Sequence, residues 1–158
     1  MKSVYIETTI PSYYFETRST ALVIAWGNAT RAWWDRHRRD YRLSTSRFVL
    51  EELTRTPGKK GKLALELIKE VEILDEPPEI RPVAEYYIEQ QLMPVGVGGD
   101  AYHLAMTSIH SIDFLLTWNC SHLANANKIT HLTVLNRRLG LHVPVVTTPF
   151  SLNPEILP

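Results

Sequence analysis

The chain has 158 residues and a mass of 18.1 kDa, and its 44% hydrophobic and 22% charged content is a one-domain globular composition that excludes disordered and fibrous classes. Seventeen Lys and Arg balance seventeen Asp and Glu at a sequence pI near 7.0, which excludes the global basic excess of a general DNA-coating protein. Uncharged stretches such as residues 19–30 fall short of the roughly 18 apolar residues of a membrane span, and the single cysteine, Cys120, supports neither an intramolecular disulfide nor a structural zinc site.

The N-terminal MKSVYIETTIPSYY reaches Glu7 too early for the apolar core of a secretory signal, which predicts a cytoplasmic protein. Residues 2–7 alternate, with Val4 and Ile6 apolar, and read as a first strand stopped by Pro11. From Thr20 to about Arg39, Leu22, Ile24, Ala25, Ala29, Ala32 and Trp33 recur at helical spacing. Arg36, Arg38 and Arg39 sit near the end, where the helix dipole favours cations. A short strand at 42–45 leads to Ser46, an N-cap for the helical FVLEELTR, which Pro57 and Gly58 close.

Residues 62–70 read as a helix, 71–74 as a strand and 81–92 as a helix after Pro77 and Pro78. The glycine-rich PVGVGGD turns into the helical AYHLAMTSIHS, with Asp100 in its first turn. DFLLTW (113–118) is a nearly continuous apolar run, as expected of a strand buried on both faces. A long helix over 121–139 and a last strand over 143–147 follow. Strands alternating with helices imply right-handed crossovers and a three-layer α/β domain, with a mostly parallel sheet of about five strands covered by helices on both faces. No internal repeat or linker divides the chain, so residues 1–158 are expected to form a single domain.

In an open parallel sheet, ligands bind beyond the carboxyl ends of the strands. Glu7 ends the first strand, Asn119 ends DFLLTW, Glu52 lies on the helix after the second strand, and Asp100 opens the helix before DFLLTW. For Asp100 the competing role is a helix cap, and for Glu51 or Glu52 a solvated surface acid. Residues 31–62 hold ten cations against four anions, which suits either a polyanion or the solvated face of helices. The glycines of VGVGGD match neither nucleotide-binding pattern and read as a tight turn. Trp33 and Trp34 read as core, and Cys120 as a buried thiol with no base tied to it.

The segments YIETTIPSYY, FVLEELTR, GDAYHLAM and DFLLTWNCSHLAN occur in the order and approximate spacing of a PIN domain, and the chain resembles a VapC-type toxin of a toxin–antitoxin pair. The resemblance covers essentially the whole chain, since TPFSL is similar to the family's closing strand and Thr-Pro turn. It implies a PIN-like fold and a ribonuclease dependent on Mg²⁺ or Mn²⁺, with RNA as substrate, a homodimer as the assembly and a cognate antitoxin as partner. By position, Glu7 stands for the family's first Asp, Glu52 for the Glu followed by Leu, and Asp100 for the Asp opening DxxHxA. Asn119 falls where many members have an Asp. Two of the four positions thus depart from the commonest pattern.

The chemistry of the residue types agrees with that assignment. Mg²⁺ takes oxygen ligands and is usually held by one or two carboxylates plus water and substrate phosphate, for which Glu7 and Asp100 are the best suited. Glu52 then orients or deprotonates the attacking water, with Thr8 and Asn119 as hydrogen-bond partners behind the ligands. His103, one helical turn from Asp100, suits proton transfer, a phosphate contact, or packing with a hydrogen bond. Two other functions stay open: an RNA-binding or regulatory module that no longer cuts, and a metal-dependent phosphatase. Against the latter stands the absence of an early DxD pair, since Thr9 lies two residues after Glu7.

Overall fold

The computed structural model describes residues 1–94 and 98–154, so much of the expected PVGVGGD turn lies outside the described residues. The described strands are β1 (Ser3–Ile6), β2 (Arg42–Thr45), β3 (Glu72–Ile73), β4 (Phe114–Leu116) and β5 (Val145–Thr147), ordered β3-β2-β1-β4-β5 with every neighbouring pair parallel. The helices are α1 (Thr9–Tyr14), α2 (Ala21–His37), α3 (Arg47–Thr54), α4 (Lys59–Leu67), α5 (Ile80–Glu89), α6 (Gly98–Ile109) and α7 (Ile129–Leu139).

The chain moves outward from β1 through β2 to β3, then crosses back to β4 and on to β5. Right-handed crossovers therefore put α1 to α4 on one face and α5 to α7 on the other. The packing agrees: α1 contacts α2 and α4, and α3 contacts α4, while α5 contacts α6. Tyr87, Ser108 and Asn136 join α5, α6 and α7 through buried hydrogen bonds. The sheet is thus sandwiched, and β1 is buried throughout, with Val4, Tyr5 and Ile6 fully inaccessible. Trp33 and Trp34 are core, as their helical spacing indicates.

Register fixes what meets at the carboxyl edge. Ile6 pairs with Leu116 across β1 and β4, and the ladder runs one step further through the Glu7 N–H donated to the Leu116 carbonyl. At the opposite edge, Ser3 and Asp113 lock the same two strands through three hydrogen bonds. The sheet order reverses between β1 and β4, so the crevice past Glu7 is the topological switch point of the fold.

Several expected elements differ from those observed. Helix α1 directly follows β1, because a proline in the first helical turn removes an N–H that has no intrahelical acceptor anyway. Helix α4 begins at Lys59, three residues before the expected start. The long helix expected over 121–139 is shortened to α7, preceded by a turn and a 3₁₀ segment at Ala126–Lys128. There the Asn119 carbonyl accepts from Leu123 and Ala124, and the Asn125 side chain accepts from the Asn127 N–H, local bonds that compete with a continuous helix. Cys120 is exposed in that turn rather than buried, because the apolar run stops at Trp118. No described helix is long and apolar enough to cross a membrane.

Candidate functional site

Glu7 leaves β1 into the crevice and is 4% exposed. Its Oε2 accepts from the Thr9 N–H at 2.9 Å, from the Thr9 hydroxyl, and from the Thr117 hydroxyl at 2.8 Å. The same hydroxyls accept from the backbone: Thr9 Oγ1 from the Trp118 N–H at 2.8 Å, and Thr117 Oγ1 from the Asn119 N–H at 3.0 Å. A hydroxyl has one proton, so both threonines spend theirs on Glu7 and stitch the ends of β1 and β4 around it. Burial pushes the Glu7 carboxyl above its ordinary range, and the threonine donors offset that only in part.

Glu52 lies in the last turn of α3, with 31% of its side chain exposed. Its Oε1 accepts from the Thr8 hydroxyl at 2.7 Å and meets His103 Nε2 at 3.0 Å. Burial raises this carboxyl, but the bonds from His103 and Thr8 outweigh it and hold Glu52 below its usual range. Oε2 faces the first turn of α6, since a Cβ added at Gly99 would lie 3.9 Å from it. Glu51, by contrast, is exposed.

Asp100, in the first turn of α6, is 8% exposed, and its Oδ2 accepts from Asn119 Nδ2 at 2.9 Å. Burial raises its carboxyl, and the Asn119 bond offsets that only in part. Asn119 Oδ1 accepts the His122 N–H at 3.1 Å, so the amide orientation is determined at both ends. His103 is 1% exposed and engaged on both ring nitrogens, by Glu52 and by the Tyr5 hydroxyl at 2.7 Å, so it does not reach a phosphate in the crevice.

The structure therefore brings Glu7, Glu52, Asp100 and Asn119 to one edge, with Thr8 and His103 bonded to Glu52. Four side chains had no place at the site in the sequence: Thr9 and Thr117 on Glu7, and, behind His103, Tyr5 and Ser46, the latter expected only as an N-cap. One signal was present, because the period of two puts Tyr5 on the same face of β1 as Glu7. The basic segment is split. The C-terminal arginines of α2 lie toward the amino edge of β2, whereas Arg55 acts electrostatically on Glu52. An apolar cleft of about 300 Å³, lined by Leu92, Leu104, Leu132 and Val146 among others, includes none of the acids.

All available donors are hard oxygens, and among the described residues Glu7 Oε1 and Asp100 Oδ1 receive no hydrogen bond, while Glu7 is a buried carboxylate whose direct partners are all neutral. No three described His, Cys, Asp or Glu side chains gather closely enough to enclose an ion. The set fits an ion held by one or two carboxylates and otherwise by water and substrate, as Mg²⁺ usually is.

No protein-family model and no curated protein matches the sequence. Solved structures match the fold. The crystal structure of FitAcB from Neisseria gonorrhoeae superposes with a TM-score of 0.57 at 16% identity, over 94% of this chain and 99% of that one. That of VapBC2 from Rickettsia felis, bound to a DNA fragment from their promoter, gives 0.53 at 12% identity, over 92% and 97%. The chain thus has the PIN-like α/β fold expected from its sequence.

Proposed function

We propose that the chain is a metal-dependent endoribonuclease, the toxin of a toxin–antitoxin pair. The observation that carries this is the arrival of Glu7, Glu52 and Asp100 at the switch point of the sheet, two of them buried carboxylates pushed toward protonation in the absence of a cation. The likeness in fold to FitAcB and VapBC2 supports it.

On this proposal Glu7 and Asp100 would hold Mg²⁺ or Mn²⁺, which supplies Lewis-acid neutralisation of charge on the phosphate. Thr9 and Thr117 fix the Glu7 carboxylate, and Asn119 fixes that of Asp100, so neither has to reorganise when substrate arrives. Glu52, ionised and anchored through Oε1, uses Oε2 to orient a water and take its proton as the water oxygen attacks phosphorus and the P–O bond to the leaving ribose oxygen breaks. Arg47 and Arg55, exposed on and just after α3, meet the RNA backbone electrostatically. The partners are an RNA substrate, a cognate antitoxin and a second copy of the chain.

A second function is favoured by Asn119, whose amide occupies Asp100 where an acid would add a charge: an RNA-binding or regulatory module that does not cut. One experiment separates the two. Purified protein is incubated with structured and single-stranded RNAs in Mg²⁺, Mn²⁺ or EDTA, beside Asp100→Asn. Cleavage with metal, lost in EDTA and in the variant, supports the nuclease. RNA binding without cleavage supports the module, and equal cleavage by Asp100→Asn overturns the mechanism.

A further inference from the structure

We infer that Tyr5 and Ser46 act through His103 as positioning residues for Glu52, forming a one-way hydrogen-bond chain that leaves α3 at its N-cap and returns to α3 at the proposed water-orienting carboxylate. This rests on the reading of Glu52 given above and deepens it.

The direction follows from counting protons. His103 is 1% exposed, so both ring nitrogens have to be satisfied within the protein. Nε2 stands 3.0 Å from Glu52 Oε1, which also accepts the Thr8 hydroxyl. An ionised carboxylate only accepts, so Nε2 carries a proton. On the other side, Nδ1 is 2.7 Å from the Tyr5 hydroxyl, itself 2.7 Å from Ser46 Oγ. Ser46 Oγ accepts the Val49 N–H at 3.3 Å as the N-cap of α3. Among the described residues, the Ser46 proton then has one acceptor, the Tyr5 oxygen. Tyr5 in turn donates to Nδ1, and His103 is neutral with its proton on Nε2.

The reverse direction fails. If Tyr5 donated to Ser46, the serine oxygen would take two donors while its own proton had no acceptor. Nδ1 would also have to carry a second proton to satisfy Tyr5, burying an imidazolium.

The consequence lies at Glu52. Two donors hold Oε1, and Oε2 is left facing the first turn of α6, where Asp100 stands. Without the Tyr5 hydroxyl, Glu52 still keeps the proton on Nε2, but Nδ1 loses its donor and the ring is anchored at one end only, so the donor to Oε1 shifts with the ring and holds the carboxylate less firmly. Partners of this kind behind a reacting group are typically worth about 10–100-fold in activity.

The test is Tyr5→Phe, a swap that keeps the ring and its packing. The wild type and the variant are compared by RNA cleavage in Mg²⁺ and by ¹⁵N NMR of the assigned His103 ring. Expected are a wild-type His103 protonated on Nε2 alone, and a variant that is folded, keeps that tautomer, shows the Nδ1 resonance moved by loss of its hydrogen bond, and has kcat down about 10–100-fold with KM nearly unchanged. A wild-type His103 protonated on Nδ1 overturns the chain, and so does one protonated on both nitrogens. Equal kcat in a variant whose wild-type parent cuts RNA overturns the positioning role. A wild type that cuts no RNA overturns the nuclease reading and this role with it, and the wild-type reaction tells that failure from the preceding one.

Discussion

Asn119 Nδ2 stands 2.9 Å from Asp100 Oδ2, while the other end of the same amide accepts the His122 N–H, so Asp100 faces a neutral donor where a carboxylate would face it with like charge. Asn119→Asp would keep the His122 bond with one oxygen and aim the other at Asp100. Two carboxylates sharing a site cannot both ionise at low cost unless a cation lies between them. In EDTA the variant should melt lower by roughly 2–8 °C, corresponding to about 1–2 kcal/mol in a domain of this size. Added Mg²⁺ should raise its melting temperature more than that of the wild type. Identical melting in EDTA would show that the two side chains do not share a site.

Glu7 offers the complementary case. Three donors converge on Oε2; the amide oxygen of a glutamine, with two lone pairs, keeps two of them fully and its NH2 takes the position of Oε1, so Glu7→Gln removes a buried charge, the larger cost, while weakening one hydrogen bond. Thermal unfolding in EDTA should therefore find the variant more stable than wild type by a few degrees, at about 2–4 °C per kcal/mol. Binding to the folded state raises the melting point by mass action, so wild type should gain stability with Mg²⁺ or Mn²⁺ and Glu7→Gln should not. A variant less stable than wild type in EDTA would mean that the carboxylate contributes more than its burial costs.

The strand and helix order was readable because the periodicities were local: β1 and β4 are each followed directly by a polar side chain, Glu7 and Thr117, and Ser46 caps α3 as expected. That placed Glu7, Glu52, Asp100 and Asn119 at one edge. The bonds that hold them were not readable, because they join residues far apart in the chain: Tyr5 to His103, Thr117 to Glu7 and His103 to Glu52. The errors have local causes. Pro11 was read as a stop when it sits in the first turn of α1, and the asparagines at 119 and 125 use backbone groups that a longer α7 would have needed.

Glu16 lies in the loop between α1 and α2 with a side chain only 5% exposed, held by Arg18 Nε at 2.9 Å and Nη2 at 3.0 Å, and by Lys60 Nζ at 2.7 Å. The Arg18 and Lys60 bonds hold its carboxyl well below the usual range. A depressed folded pKa contributes stability that is complete above the unfolded value, about 4.3 for glutamate, and is lost as pH falls through the folded one. Urea unfolding should find Glu16→Gln weaker than wild type by about 1 kcal/mol at neutral pH, the scale of two partly exposed pairs. The gap should close as the medium is acidified below that glutamate value. A gap that is constant with pH would assign the loss to packing rather than to charge.

Gly61 sets two effects of opposite sign against each other. It lies inside α4, where exchanging glycine for alanine ordinarily stabilises a helix by about 1 kcal/mol. At this position, however, a Cβ would fall 2.5 Å from the Leu53 carbonyl oxygen and 2.9 Å from that of Thr56, backbone atoms at the end of α3 that cannot rotate away. The clash should win. Gly61→Ala is expected to lose roughly 1–3 kcal/mol in urea unfolding, the usual cost of overpacking. The displaced element is the last turn of α3, which carries Glu52 one residue before Leu53. A shift of about 1 Å there costs on the order of a hundredfold in a positioned reaction, so RNA cleavage should fall further than stability alone explains. An alanine variant as stable as wild type would mean that α3 and α4 separate freely, and that the glycine does not hold Glu52 in register with the crevice.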